Sequence, residues 1–365
     1  AERVAAAGLA AADWLAQFHA ASTIWATPPL WWVAAYYALL GAGLYAYAGR
    51  IRFVPAKYAG AFTAGCAVCG AALMGYAYAP DALDRDGLVA VLDVGQGDAI
   101  YVRTPAGKRL LIDAGGTTRF HKEGDEWRSR KDPFEVGRDV VVPLLMRRGV
   151  HSLDMLFATH NDTDHIGGAK AVLRQVPVRR LFFNGTASDG EAAVDMFRAA
   201  LERNVPVTPL SVGDTIIVDE ETKIEVLHPA QSGGLRVERN QNGASLVLLM
   251  TMRGRTFLFT GDIGAAEEKR IASGAAGHST AEPVDVLKVA HHGSKSATGD
   301  EWLRVWRPKA AVVSAGRNNR YGHPHPSVEE RLMRHDAKLY RTDLDGEVQF
   351  RVGGGGILVR TRLRG

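Results

Sequence analysis

Two stretches of this chain contain no charged residue. Residues 28–49 read PPLWWVAAYYALLGAGLYAYAG and residues 58–79 read YAGAFTAGCAVCGAALMGYAYA, joined by RIRFVPAK. Backbone that leaves water must satisfy its own N–H and C=O groups, so apolar runs of about 20 residues fold as helices. At that length each can cross a hydrocarbon core. Trp31, Trp32, Tyr76 and Tyr78 lie near the ends of the runs, where amphipathic rings favour a membrane interface. The pattern predicts two transmembrane helices within residues 28–80. The connector carries Arg50, Arg52 and Lys57, whereas the far flank, PDALDRD, is net acidic. The positive-inside rule then puts the connector in the cytoplasm and everything after Ala79 on the extracytoplasmic side. Residues 1–27 are Ala-rich, with Trp14, Leu15 and Phe18 on one side of an amphipathic helix suited to a membrane surface.

From Pro80 the composition is that of a soluble protein. Over the whole chain charged residues are 23% and hydrophobic residues 46%, which excludes wholesale disorder, while a net charge of +4 neither requires nor forbids an anionic partner. The two cysteines, Cys66 and Cys69, both fall in the second apolar run and read as small packing residues. Residues 86–365 therefore have no disulfide framework and no thiolate ligands. Short β runs with glycine turns (LVAVLDVGQGDAIYVRT, RLLIDAGG) give way to helix-like and strand-like segments in alternation. A hairpin, EVQFRVGGGGILVRTRL, follows the last clear helix, SVEERLMRH, whose N-cap reads as Ser327. This order predicts an α/β fold of two packed sheets with helices outside, an αββα sandwich.

The polar groups concentrate where strands end. LDMLFATH closes on His160, RTFLFTGD on Asp262, and VDVLKVAHH on His291 and His292. Strand ends on one sheet edge converge in space, so groups distant in sequence can form one site. In THNDTDHIGG, His160 and Asp162 make one pair and Asp164 and His165 another; each pair suits one divalent cation, with Asp262 bridging and a histidine from 291–292 completing the second. For HNDTDH alone, the competing reading is a helix start capped by Asp and Thr side chains.

Taken together, His160-x-Asp162-x-Asp164-His165-x-Gly167-Gly168, then Thr260-Gly261-Asp262, then His291-His292-Gly293 resemble the metallo-β-lactamase superfamily. The segments LDVGQGDAI, LLIDAGG, GRDVVVPLL, DHIGG, TGDI, LKVAHHGSKSAT and NRYGHPHP resemble one branch more closely, the extracytoplasmic C-terminal domain of the ComEC/Rec2 competence DNA-uptake channels. The resemblance runs from about Leu88 to Gly346. It implies a metallo-β-lactamase-like domain over residues 86–365, attached to a channel in the bacterial cytoplasmic membrane, that degrades the DNA strand not imported. The remainder of the channel, the competence machinery and single-stranded DNA are the implied partners.

The sequence departs from the broad superfamily in two places. Asp162 stands where most members have a second His, and NQNGAS places Gln241 or Asn242 where another His is usual. More oxygen ligands favour Mn²⁺ or Mg²⁺, with Mn²⁺ expected and Zn²⁺ possible. The expected metal ligands are His160, Asp162, Asp164, His165, Asp262 and His291, with Asn242 and His292 as further ligands or supports. His291 is preferred because in related hydrolases the ligand lies two before the glycine. For catalysis, His323 is the proton donor to a leaving oxygen, Lys295 the partner of a nonbridging oxygen, and Asp164 holds a cation. Asp98, in DVGQGD, reads as a turn former. Arg317 and Arg320 flank the site and suit backbone contacts to DNA, which are salt-sensitive and independent of sequence. Two other readings remain: a domain that guides DNA without cutting it, and a metallohydrolase acting on a small ester or lactam.

Overall fold

The computed structural model describes residues 25–48, 55–117, 133–230, 235–238, 240–275 and 283–363, together with Trp14. Most of the surface helix expected over residues 1–27 and the connector residues Arg50 and Arg52 lie outside the described residues. The chain divides into two compact units, Ala1–Leu83 with Leu145–His151, and Asp84–Leu144 with Ser152–Gly365.

In the first unit the two apolar runs are helices, Leu30–Tyr47 and Ala56–Tyr78. They pack against each other: Trp32 Nε1 donates to the Leu73 carbonyl at 2.8 Å, and a Cβ on Gly43 would lie 3.3 Å from Cys66 Cβ. Small residues permit such close approach of helices. Only Lys57–Tyr78 is, among the described residues, long and apolar enough to cross a membrane, where the sequence pattern led to two spans. The first helix has 18 residues, about 27 Å at 1.5 Å per residue, and six of its positions are Trp or Tyr.

The second unit is built from two large sheets and a two-stranded pair, β6 (Thr186–Ala187) with β10 (Arg236–Val237). The first runs in the order β17 (Gly356–Thr361), β16 (Val348–Gly353), β1 (Gly87–Val91), β2 (Ile100–Arg103), β3 (Arg109–Ile112), β4 (Met155–Ala158), β5 (Leu181–Phe183), β7 (Val207–Pro209). The second runs β15 (Lys338–Arg341), β14 (Ala310–Val313), β13 (Val286–Lys288), β12 (Arg255–Phe259), β11 (Val247–Met252), β9 (Thr222–His228), β8 (Thr215–Asp219). Each sheet is antiparallel on one side and parallel on the other: β3, β4, β5 and β7 are parallel, as are β12 to β15. Parallel neighbours need crossover connections, and these put helices on the outer faces.

The core lies between the sheets, where Val89, Val102 and Phe157 of one meet Ile224, Phe257 and Val286 of the other. Outside the second sheet, Trp302, Trp306 and Leu332 cover Leu258, Leu287 and Ala311. Helices Ala169–Gln175 and Glu191–Glu202 follow β4 and β5 and bury Val172, Leu173, Met196 and Ala199. This is the αββα layering that the sequence implies. The pattern did not reveal helices Glu191–Glu202 and Asp300–Trp306, nor strands β7 and β8. The helix of SVEERLMRH is capped two residues earlier than expected: it begins at Pro326, and the His325 ring accepts from Ser327 N at 3.2 Å. Proline at the first helical position has no N–H to satisfy, so the cap falls on the residue before it.

The functional consequence lies in the parallel halves. Asp113 follows β3, His160 follows β4, Asp262 follows β12, His291 and His292 follow β13, and Ser314 follows β14. Carboxyl ends of parallel strands share one edge, where open α/β sheets bind ligands.

Candidate metal centre

The loop after β4 leads into a one-turn helix, Thr163–Ile166. Asp162 occupies its N-cap position, yet its side chain makes no capping hydrogen bond. Its carboxylate instead lines a cavity of about 320 Å³ together with Asp164, Asn242, Asp262, His291, His292, Tyr321 and His323. The capped-helix reading of HNDTDH is thereby set aside. A larger cavity of about 760 Å³ lies elsewhere in this unit, but Arg236 is the one charged side chain in its lining. No carboxylate and no imidazole is in that lining.

Three imidazoles present Nε2 inward, and each is fixed by a different bond at Nδ1. Asp113 Oδ2 lies 2.7 Å from His165 Nδ1, and a carboxylate can only accept, so that nitrogen carries the proton. Thr159 Oγ1 donates to the same carboxylate at 2.7 Å and so accepts from His160 Nδ1 at 3.1 Å. His292 Nδ1 donates to the Ser314 carbonyl at 3.0 Å. The inward atoms then crowd together. His165 Nε2 is 3.2 Å from Asp262 Oδ1 and 3.3 Å from His292 Nε2; His292 Nε2 is 3.3 Å from Asp164 Oδ2 and 3.4 Å from Asp262 Oδ2. His160 Nε2 faces Asp162 Oδ2 at 3.7 Å.

Charge follows this geometry. Burial, reinforced by the neighbouring His165, holds His160 neutral with its pKa lowered to about 3. Burial works against protonating His165 and His292, but Asp262 with Asp113 and Asp98 outweighs it and raises both well above the usual histidine value. Burial likewise opposes ionising Asp164 and Asp262, yet the same rings hold Asp164 near 2 and Asp262 well below the carboxylate range. Asp162 is pushed up by burial and by the charge on Asp164. Protons on two imidazoles thus balance the carboxylates at the place where a cation would do the same.

The donor set fits a divalent cation. His160 Nε2 is buried without a hydrogen-bond partner. An orphaned polar atom in a pocket of carboxylates and imidazoles calls for a ligand that accepts lone pairs.

The sequence-derived residues divide as follows. Asp162, Asp164, Asp262, His291, His292, Asn242 and His323 line the cavity, and His160 and His165 stand directly behind it. The two members of the histidine pair are placed differently from expectation. His292 is buried against Asp164 and Asp262, whereas the His291 side chain is 30% exposed, with Nε2 3.8 Å from Asp262 and 3.5 Å from the Asn242 amide. Both stand on left-handed backbone (φ 51° and 53°), which turns successive rings to different sides. Gln241 points away and accepts from Asn161 and Thr186, leaving Asn242 at the cavity. His323 stacks on Tyr321 at 5.7 Å, and burial with the charges of His292 and His291 lowers its pKa to about 4. Lys295, Arg317 and Arg320 are exposed and do not line the cavity; Arg317 Nε donates to the Asp343 carbonyl at 2.9 Å. Sequence reasoning missed Asp113 and Thr159, although Asp113 ends a strand as His160 does. It also missed that Asp98 and Lys288 are buried partners at 2.8 Å.

An αββα sandwich with a buried His/Asp cluster at the carboxyl ends of its parallel strands is the architecture of a metal-dependent hydrolase. Residues 92–317 match the metallo-β-lactamase superfamily, and the chain belongs to it. The chain is 37% identical over 271 residues to ComE operon protein 3 of Bacillus subtilis (strain 168), covering 74% of this chain and 33% of that protein. It is 31% identical over 288 residues to competence protein ComA of Neisseria gonorrhoeae (79% and 35%), and 30% identical over 261 residues to recombination protein 2 of Haemophilus influenzae (72% and 28%). The chain thus spans about a third of the length of these relatives.

Proposed function

We propose that this chain is the metal-dependent nuclease part of a bacterial DNA-uptake channel, cutting the phosphodiester backbone of the strand that is not imported. The observation that carries the reading is the buried, unpartnered His160 Nε2 beside a ring of three carboxylates. The relatives support the setting, since one of them is named a competence protein.

His160 and Asp162, with Asn242 nearby, would hold one cation; Asp164, His165 and His292 would hold the second, and Asp262 would supply a further carboxylate. His292 is preferred to His291 because its Nε2 is buried among the carboxylates, while His291 is open to a substrate. Oxygen donors outnumber imidazoles, which favours Mn²⁺, with Zn²⁺ as the alternative. Divalent cations held there would acidify water and neutralise charge on a phosphodiester. The remaining work falls to this chain's own side chains. His323, neutral at pH 7 with a pKa of about 4, donates a hydrogen bond to a phosphate oxygen and is a poor source of protons. Tyr321, 49% exposed beside it, offers a ring on which a base can stack. Arg317 and Arg320 would meet the DNA backbone, and Lys295, being exposed, would act on a neighbouring phosphate and not at the reacting one.

The helix Lys57–Tyr78 supports attachment to the cytoplasmic membrane, and the basic connector supports an extracytoplasmic site for the domain. The test uses the whole chain in detergent micelles, with labelled single- and double-stranded DNA, Mn²⁺ or chelator, and Asp164→Ala beside the parent. Metal-dependent cutting lost in the variant supports the nuclease. Folded, Mn²⁺-loaded protein that binds DNA without cutting it favours the guiding domain, and hydrolysis confined to small esters favours the third reading.

A further inference from the structure

Behind His292, on the side away from the cavity, the chain buries a complete ion pair. Lys288 Nζ lies 2.8 Å from Asp98 Oδ2, the two side chains being 1% and 2% exposed, and it also donates to the Val289 carbonyl at 3.0 Å. Asp98 Oδ1, which makes no hydrogen bond, faces His292 Nδ1 at 3.4 Å, an ion-pair distance. Ser314 completes the setting: its carbonyl accepts from the same Nδ1 at 3.0 Å, and its Oγ donates to the Gly97 carbonyl at 2.6 Å. Burying two opposite charges is expensive, and apolar replacements of such pairs are often as stable or more so. Stability alone does not explain this one.

Asp98 has a carboxylate oxygen within 4.8 Å of ligand atoms of His165, Asp262 and His292, close enough to belong to a metal cluster. Lys288 argues against that role, because its ammonium already fills the cation position at Oδ2. The other oxygen faces Nδ1, the ring atom turned away from Asp164 and Asp262. We propose that Asp98 and Lys288 form a positioning pair for His292: Asp98 holds the Nδ1 side of the ring so that Nε2 faces the carboxylates, and Lys288 keeps Asp98 from turning toward the cations. The inference rests on His292 as a ligand. It assigns roles to the DVGQGD turn and to the lysine that ends β13, which the proposed reaction leaves unused. Groups that orient a ligating imidazole commonly alter metal affinity by 10- to 100-fold.

The test is Mn²⁺ binding to the whole chain, followed by electron paramagnetic resonance. The variant is Asp98→Asn with Lys288→Met, which removes both charges and orphans neither. The expected result is a folded protein with an unchanged melting midpoint without metal and a Mn²⁺ dissociation constant raised about 10- to 100-fold. Where that double variant does not fold, the fully apolar replacement Asp98→Leu with Lys288→Met is measured and is expected to weaken binding at least about tenfold. Unchanged affinity in the folded variant overturns the proposal and leaves the pair a packing feature. Parent protein that binds Mn²⁺ but cuts no DNA removes the nuclease and leaves this inference standing; parent protein that takes up no Mn²⁺ removes it.

Discussion

The Asp113 carboxylate and the His165 ring meet at 2.7 Å, Oδ2 to Nδ1, with both side chains buried. Asp113 also accepts from Thr159 N at 2.8 Å and Thr159 Oγ1 at 2.7 Å, and through that hydroxyl it sets His160 as well. One carboxylate therefore orients both histidines of the motif. Asp113→Asn turns an amide N–H toward a group that must donate. It is expected to weaken Mn²⁺ binding about 10- to 100-fold and to lower stability by roughly 1–3 kcal/mol. Calorimetric titration and urea denaturation of parent and variant read the two effects separately. Unaltered Mn²⁺ affinity would count against the role given to Asp113.

Without metal, the protein should lose stability as pH rises from neutral. His165 and His292 have folded-state pKa values raised well above 6.5, against burial and by the carboxylates around them. A raised value contributes stability that is complete below the unfolded value of about 6.5 and is lost as pH climbs through the folded value. Bound cations replace those protons, so with Mn²⁺ the slope should flatten or reverse. Urea midpoints measured with chelator and with Mn²⁺ between about pH 6.5 and about pH 9 decide it. A chelated protein no less stable at the alkaline end would contradict this balance of protons and carboxylates.

Much of this site is legible in the sequence because strand ends are. Ala158, Phe259 and Lys288 close short buried strands, and the groups that follow them meet at one edge, as the patterns LDMLFATH, RTFLFTGD and VDVLKVAHH imply. Which of His291 and His292 is buried was not legible, because it depends on two consecutive left-handed residues, and backbone handedness leaves no periodic trace. Asp98 and Lys288 were hidden for another reason: a buried charge is recognisable only from its partner, and these two lie 190 positions apart. Strands β7 and β8 carry exposed and half-exposed residues at most positions, so their alternation is too weak to announce them.

His323 separates hydrogen bonding from proton transfer. With a pKa lowered to about 4 it is uncharged across the working range. His323→Ala is expected to leave Mn²⁺ affinity unchanged and to slow DNA hydrolysis about 10- to 100-fold, the worth of one hydrogen bond to a charged group, about 1.5–3 kcal/mol. The pH–rate profiles of parent and variant should then have the same shape above about pH 5.5, with the variant displaced downward. A limb near neutral pH present in the parent and missing in His323→Ala would instead make this ring the proton donor that the sequence pattern suggested.

Gly97 tests whether the DVGQGD turn and the helix Thr163–Ile166 are one mechanical unit. Its φ is +124°, and a Cβ there would lie 2.1 Å from the Asp164 carbonyl oxygen and 3.2 Å from Asp164 Cβ. Asp98 N donates to that same carbonyl at 3.2 Å, so the turn and the helix already touch through Asp164. Gly95, two residues earlier, has φ +78°, and a methyl group added there would meet nothing within 4 Å. Gly95→Ala should therefore show backbone strain alone, about 1–2 kcal/mol. Gly97→Ala adds a collision with backbone that cannot rotate away, so Asp164 must move. It should cost distinctly more stability and weaken Mn²⁺ binding, which Gly95→Ala should leave intact. Melting and Mn²⁺ titration of the two variants side by side give the answer. If both lose similar stability and both keep full affinity, Asp164 is held by its own helix, and the turn serves only to carry Asp98 to His292.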